Sequence, residues 1–130
     1  MHKNQKQSVI QQMGRRAGVL MHISSLPGDH GIGDIGDSSR AFIDALADMD
    51  IGVWQFLPLG PTAYGDSPYQ PLSAFAGNAN LICMNQLVEL GLLREAELES
   101  LTGLPRDYCD YGRLIPAKRD LLRRARPRTA

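Results

Sequence analysis

The chain has 130 residues, in which 14 lysines and arginines are balanced by 14 aspartates and glutamates. A net charge of zero gives no long-range field that would favour nucleic acid or an anionic membrane as a partner. The two cysteines, Cys83 and Cys109, have no CxxC spacing and no nearby histidine pair, so the sequence predicts neither a zinc site nor a disulfide framework.

The amino terminus lacks the apolar core of a secretory signal, since residues 1–14 are polar and rich in glutamine. No apolar run in the sequence approaches the roughly 20 residues needed to span a bilayer. We therefore expect a disordered leader over residues 1–14, a folded unit over residues 15–130, and a location in the cytoplasm.

Two apolar runs predict parallel strands. Residues 17–23 are almost continuously apolar, which is typical of a strand buried on both faces, and residues 51–57 form a second such run. The βαβ order favours parallel pairing with a right-handed crossover. Between the runs, Asp37 or Ser38 can cap a helix. Its apolar positions recur at helical spacing: Ala41, Phe42, Ala45, Leu46 and Met49.

The chain beyond residue 80 is predicted to be helical. Residues 84–93 and 94–101 have apolar side chains at helical spacing, and the Gly-Leu-Pro sequence at 103–105 ends that stretch. Pro116 is expected in the first turn of a last helix. Basic residues occupy the faces of this helix away from its apolar positions, which favours a solvated or partner-facing helix over a nucleic-acid tail: Lys118, Arg119, Arg123 and Arg124.

The loop that follows the second strand has the chemistry of a sugar-binding surface. Two tyrosines, Tyr64 and Tyr69, flank the polar side chains of Asp66 and Ser67 within residues 58–80, among prolines that restrict the backbone. Aromatic rings can lie against the apolar C–H faces of pyranoses, while carboxylates and hydroxyls bind their hydroxyl groups. The purely structural alternatives are that the tyrosines pack the loop against the rest of the protein and that Asp66 caps its own turn.

Four stretches together resemble the amylomaltase family, the 4-alpha-glucanotransferases that disproportionate malto-oligosaccharides. The most specific is GPTAYGDSPYQPLSAFAGN, at residues 60–78. The others occur in the order in which the family's amino-terminal region presents them: RRAGVLMHISSLPGDHGIGDIGDSSRAFIDAL, NLICMNQLVELGLL and DYGRLIPAKRDLLRRA. The resemblance therefore covers most of the chain.

The resemblance implies an α/β fold of the (β/α)8 TIM-barrel type. Because a complete barrel takes about 250 residues, this chain is expected to hold only the opening βα units, with a helical insertion after the second strand. The family's catalytic Asp nucleophile, acid/base Glu and stabilising Asp would all lie beyond Ala130. No catalytic residue is therefore assigned, the isolated fragment is expected to be inactive, and no metal or cofactor is implied.

The family pattern also implies roles for the loop residues. In amylomaltases the second tyrosine of the YGDSPY string, here Tyr69, lines the donor side of the cleavage point, and the first, here Tyr64, lies near bound glucan outside the catalytic centre. Asp66 and Ser67 between them could bind sugar hydroxyls.

The implied function is retaining transfer of alpha-1,4-glucan segments between malto-oligosaccharides. The alternative is a non-catalytic glucan-binding or degenerate remnant. Expected partners are malto-oligosaccharides or other alpha-1,4-glucans, and a separately encoded remainder of the barrel, with no nucleic acid or membrane.

Three further features have two interpretations each. Residues 31–36 match GxGxxG, but residues 24–30 separate them from the first strand, so we interpret these glycines as turn formers and not as a dinucleotide fingerprint. His22 could face a ligand or be a hydrogen-bonded core histidine, whereas His2 and His30 are expected to be exposed. Trp54 could stack on a sugar, although its place within a strand favours core packing.

Overall fold

Two short parallel strands organise the amino-terminal half of the protein. A computed structural model describes residues 14–62, 65, 67–70, 73 and 75–126. Within them, β1 (Gly18–Leu20) pairs in parallel with β2 (Val53–Gln55), with Val19 opposite Trp54. The helix α1 (Asp37–Asp48) lies between them in sequence. The α/β class, the βαβ order and the parallel pairing expected from the sequence are confirmed.

The strands are shorter and more exposed than their apolar runs predict. Hydrogen-bonded pairing covers three residues in each strand, and Leu20 is 60% exposed. Burial of β1 on both faces is therefore wrong for the part of the chain that the structure describes. The physical reason is that each strand has a single neighbour there, so the outer edge and much of each face have no covering layer.

The amino terminus of α1 differs in detail from the expected cap. Asp37 is the first helical residue and forms an ion pair with Arg40 at 3.1 Å, while Gly36 occupies the cap position without a side-chain hydrogen bond. The hydroxyl of Ser38 is turned instead to the backbone of Asp34, from whose N–H it accepts a hydrogen bond at 3.4 Å. Neither predicted capping residue acts as a cap.

Only part of the predicted apolar face of α1 is covered. Leu46 is buried, and the ring of Phe42 packs edge-on against Trp54 with 5.0 Å between centroids. The other apolar positions of that face are exposed among the described residues: Ala41, Ala45 and Met49.

Short helical segments follow, as the sequence predicts, but the helix expected over residues 84–93 ends at Glu89 and the stretch over residues 94–101 is a 3-10 helix. They are a 3-10 turn at Ala79–Leu81, the helix α2 at Met84–Glu89, a 3-10 helix at Glu95–Leu101, and the helix α3 at Tyr111–Ala125. In the described part of the chain, no helix combines the length and the apolar composition that a membrane crossing requires.

The last helix begins earlier than expected. Asp110 caps α3 by accepting a hydrogen bond from the N–H of Arg113 at 3.2 Å, so Pro116 is the sixth helical residue and not part of the first turn. A proline there removes the hydrogen bond to the carbonyl of Gly112. A side-chain cap thus extends the helix by more than one turn ahead of its proline.

The core lies between the loop after β1, the short helical segments and turns of residues 79–101, and one face of α3. Met84, Leu101 and Leu114 have no exposed surface. The remaining members of this buried cluster come from the same elements: Ile23, Ile32, Leu81, Leu93, Leu98, Leu121 and Ala125.

The glycines of residues 31–36 form a tight turn that packs closely, which confirms their interpretation as turn formers. Gly31 has a φ of +76°, a conformation that side chains disfavour. At Gly33 an added Cβ would lie 2.0 Å from the carbonyl oxygen of Ile23, so that close backbone packing excludes any side chain.

We expect Gly33→Ala to lower the free energy of unfolding by about 2 to 4 kcal/mol, because the backbone of residues 23–26 would have to move. Gly77→Ala is the matched control, since no atom lies within 4 Å of a Cβ added there. The measurement is the melting temperature of the two variants, each made in a complete barrel that contains this segment and not in the 130-residue chain alone. Equal melting temperatures for the two variants would show that the turn accommodates a methyl group.

We also expect the 130-residue chain, expressed by itself, to self-associate. Its exposed apolar side chains include Leu20 at 60% and Phe75 at 99%, and the sheet edges are open among the described residues. Light scattering after gel filtration and binding of a hydrophobic dye measure this. A monomer with a sharp cooperative melt would contradict the prediction.

Candidate functional site

Two loops leave the same edge of the sheet. Because β1 and β2 are parallel, the segments that follow their carboxyl ends lie side by side. The N–H of Met21 donates to the carbonyl of Gln55 at 2.9 Å, and the N–H of Ile35 donates to the carbonyl of Leu81 at 2.9 Å. The chain that follows β1 is therefore hydrogen-bonded to the second strand and to the end of the loop that follows it.

The predicted sugar-binding residues lie in the second of these loops, residues 58–80, which we call the glucan loop. Ser67 and Tyr69 are brought together in a turn, in which the hydroxyl of Ser67 accepts a hydrogen bond from the N–H of Tyr69 at 3.4 Å. The side chain of Tyr69 is 69% exposed. Tyr64 and Asp66 lie outside the described residues, so their positions stay predictions.

Trp54 is a packing residue at the start of this region. Its indole N–H donates to the carbonyl of Met21 at 2.8 Å, and its ring makes edge-on contacts with Phe42 and Phe56. These contacts confirm the core interpretation of Trp54. They also fix the point at which the chain leaves β2 for the glucan loop.

The carboxyl end of the glucan loop is held by Lys118, whose burial was not predicted from the sequence. Asn78 caps the Ala79–Leu81 turn by accepting from the N–H of Asn80 at 3.0 Å. The ammonium group of Lys118, from α3, donates to the carbonyls of Asn80 at 2.6 Å and Ile82 at 2.9 Å. Lys118 is only 1% exposed, so its expected place on a solvated face is wrong.

Charges around Lys118 compensate part of the cost of its burial. Burial lowers the pKa of Lys118 from 10.5 to about 8, although the carboxylate of Asp34 opposes this shift. Burial raises the pKa of Asp34, while a hydrogen bond from the thiol of Cys83 and the charge of Lys118 lower it. Burial also raises the pKa of Cys83, which keeps the thiol protonated as a donor.

Of the two described histidines, His30 departs from expectation and His22 does not decide between its two interpretations. His30 is half-buried and not exposed, and its pKa is lowered by burial and then by the charge of Lys118. Burial also lowers the pKa of His22, and its Nδ1 is buried without a hydrogen-bond partner among the described residues. This geometry does not support a hydrogen-bonded core histidine at Nδ1, so the ligand-facing interpretation of His22 stays a prediction.

A cavity of about 470 Å³ opens between the two ends of the glucan loop and α3. Its walls include Thr62 and Asn78 from the loop and Leu122 from the helix. A larger cavity, of about 940 Å³, is lined by none of the loop residues. Volume alone therefore does not identify the site. Among the described residues, no three His, Cys, Asp or Glu side chains are grouped so that they could hold a metal ion.

Known proteins match most of this sequence. The model of the glycoside hydrolase family 77, described as 4-alpha-glucanotransferase, matches residues 21–130. A 4-alpha-glucanotransferase of Streptococcus pneumoniae is 51% identical over 112 residues, which cover 85% of this chain and 22% of the relative. One from Thermus thermophilus is 46% identical over 114 residues, covering 88% of this chain and 22% of the relative. The chain thus spans about a fifth of the length of these relatives.

A solved structure shows the same backbone arrangement. The amylomaltase of Streptococcus agalactiae in complex with acarbose superposes with a TM-score of 0.81 at 43% identity, covering 87% of this chain and 23% of that protein. The family match extends over the glucan loop, the Lys118 contacts and the whole of α3. On sequence and on structure alike, the chain belongs to the 4-alpha-glucanotransferase family.

Proposed function

We propose that the protein is a 4-alpha-glucanotransferase, which transfers alpha-1,4-glucan segments between malto-oligosaccharides by a retaining double displacement. Within it, this chain supplies part of the glucan-binding groove. The observation that carries the proposal is the family match over most of the chain, because it spans the loop whose residues have the chemistry to bind a sugar.

The proposed architecture is a (β/α)8 barrel in which β1, α1 and β2 are the opening units. Functional residues of such barrels lie on the loops that follow the carboxyl ends of the strands. The glucan loop follows β2 in this way, and its neighbour after β1 is hydrogen-bonded to it through Ile35 and Leu81.

In the proposed groove, Tyr69 stacks on the sugar at the cleavage point and Tyr64 contacts glucan farther from it. Ser67 and Asp66 bind hydroxyl groups of the sugar. The exposure of the Tyr69 ring supports this assignment, because a ring that packed the loop against the described residues would be covered. An exposed aromatic face is what a pyranose needs for stacking.

The chemistry requires two carboxyl groups that we place outside this chain. One attacks the anomeric carbon as the leaving hydroxyl takes a proton from the other, and a glycosyl-enzyme forms. A 4-hydroxyl of a second glucan then attacks the anomeric carbon and releases the enzyme carboxylate, with its proton passing to the base. The glucan loop would orient the acceptor and exclude water, which makes transfer faster than hydrolysis.

The test is a graft. In the Streptococcus agalactiae amylomaltase, the matching 23% of the chain is replaced by residues 15–130 of this protein, and we call the product the grafted enzyme. With maltotriose it is expected to form glucose and maltopentaose, and then longer glucans, with the α-configuration retained in NMR spectra. The isolated 130-residue chain is expected to form none of these products.

A second graft is the matched control. It carries the corresponding segment of the Streptococcus pneumoniae relative, which tests whether the host enzyme tolerates a foreign segment. If that control is active and the folded grafted enzyme is not, the proposed function fails. Binding of acarbose without turnover would then identify the chain as the glucan-binding remnant. The cytoplasmic location expected from the sequence stays a prediction.

A further inference from the structure

The segment that closes the glucan loop is held from two sides. Lys118 donates to the carbonyls of Asn80 and Ile82, and the carbonyl between them, that of Leu81, accepts from the N–H of Ile35. Three consecutive carbonyls are thus bound alternately by α3 and by the segment after β1. Consecutive carbonyls that are all bound leave this short stretch of backbone little freedom to shift along the chain.

A charged neighbour of Lys118 lies in the loop after β1. Asp34 is buried there, and the charge of Lys118 lowers the pKa of its carboxyl group against the effect of burial. The hydroxyls of Ser38 and Ser39 both donate to the carbonyl of Asp34. The ammonium group therefore ties the end of the glucan loop to α3, while the N–H of Ile35 ties the same stretch to the segment after β1.

Burial of this ammonium group carries a cost that an apolar residue would avoid. Position 118 lies on the buried face of α3 with Leu114 and Leu121, where a methionine of similar length would pack without losing hydration. Replacing buried charges by apolar residues is often neutral or stabilising in proteins. The advantage that a lysine has over methionine here is its ability to bind two backbone carbonyls at fixed positions.

We propose that Lys118 is a positioning residue for glucan transfer, which fixes the carboxyl end of the glucan loop and thereby the placement of Ser67 and Tyr69. The inference rests on the proposed function of that loop. The opposite end is fixed by the hydrogen bond of Trp54 to Met21. With both ends fixed, less conformational entropy is lost when a glucan orders the loop.

The test compares Lys118→Met with Arg124→Met in the grafted enzyme. Arg124 is an exposed cation of the same helix, whose ion pair with Asp120 is on the surface. Amide exchange followed by mass spectrometry is expected to be about tenfold faster over residues 58–82 in Lys118→Met, with α1 unchanged and with no change in Arg124→Met. A uniform increase over all segments would overturn the proposal, because it would show general destabilisation.

Kinetics give a second readout, which loss of folded protein would not reproduce. Well below the melting temperature, Lys118→Met is expected to lower kcat/KM for maltotriose by about 3- to 30-fold. If Lys118 acts through the loop, this loss shrinks in a Tyr69→Ala background. Equal losses in both backgrounds, as independent sites would give, overturn the proposal.

A substitute variant and a condition on the grafted enzyme separate failure of this proposal from failure of the proposed function. If Lys118→Met does not fold, Lys118→Gln replaces it, since the amide carries no charge into the core but is too short to bind both carbonyls. If the folded, unsubstituted grafted enzyme forms no products while the Streptococcus pneumoniae control graft does, the proposed function fails. The amide-exchange pattern then decides alone whether Lys118 fixes the loop.

Discussion

Tyr69→Ala in the grafted enzyme is expected to lower both kcat and kcat/KM for maltotriose by about 5- to 150-fold. The reason is that stacking between the ring and the sugar would tighten as the sugar flattens toward its oxocarbenium-like transition state. Within this chain Tyr69 is 69% exposed, so its removal deletes little packing against the described residues.

The control for Tyr69→Ala is Tyr108→Ala. Tyr108 has a similar exposure, 63%, and lies outside the glucan loop, so its replacement should leave turnover unchanged. Turnover is followed by release of glucose, and stability by the melting temperature. If Tyr69→Ala retains full turnover, or if a lowered melting temperature accounts for its whole effect, the ring has no role in binding the sugar.

The arrangement of the loops could be predicted because it depends on few features of the sequence. The apolar runs at residues 17–23 and 51–57 contain β1 and β2, and a helix of the right periodicity lies between them. Two strands joined by a helix in a right-handed βαβ connection pair in parallel, and parallel pairing is observed. Parallel strands in turn place the segments that follow them at one edge, where the glucan loop lies.

Details that depend on single side chains were less predictable. Composition does not show that Ser38 and Ser39 bind the backbone of Asp34 and leave the α1 cap to Gly36. Serine hydroxyls bind several nearby backbone groups with similar energies, so the surrounding packing decides which one is bound. The early start of α3 has the same origin, since Asp110 was not recognised as its cap.

The burial of Lys118 did leave a signal in the sequence. Leu114, Leu121 and Ala125 recur at positions i−4, i+3 and i+7 relative to it, so that a lysine stands in the middle of an apolar face. A lysine at such a position either destabilises the packing of the helix or is a buried charge with hydrogen-bond partners. The partners, carbonyls 36 and 38 residues away in sequence, become visible only when the fold brings them together.

The charge of Lys118 predicts an unusual pH dependence of stability. A lysine in the unfolded chain has a pKa of 10.5, and burial lowers it to about 8 in the folded protein. Between these values the unfolded state binds more protons than the folded state, so the contribution of Lys118 to stability increases as the pH rises. The cost of the buried charge is present in full below pH 8 and is relieved by about 3 kcal/mol as the pH approaches 10.5.

At pH 7, we expect Lys118→Met to change the free energy of unfolding by only about 1 kcal/mol, because the burial cost that it removes offsets the loss of the two carbonyl hydrogen bonds. The difference in melting temperature between the grafted enzyme and Lys118→Met should widen as the pH rises from 7 to 10.5, since only the unsubstituted protein gains from neutralisation. The thiol of Cys83, whose charge also acts on the pKa of Lys118, has a pKa that is itself raised by burial. Because the elevated pKa of Cys83 acts in the opposite direction, the series is repeated with Cys83→Ala in both proteins. A difference that stays constant or narrows with pH would mean that Lys118 keeps an ordinary pKa and is not held as a buried ammonium group.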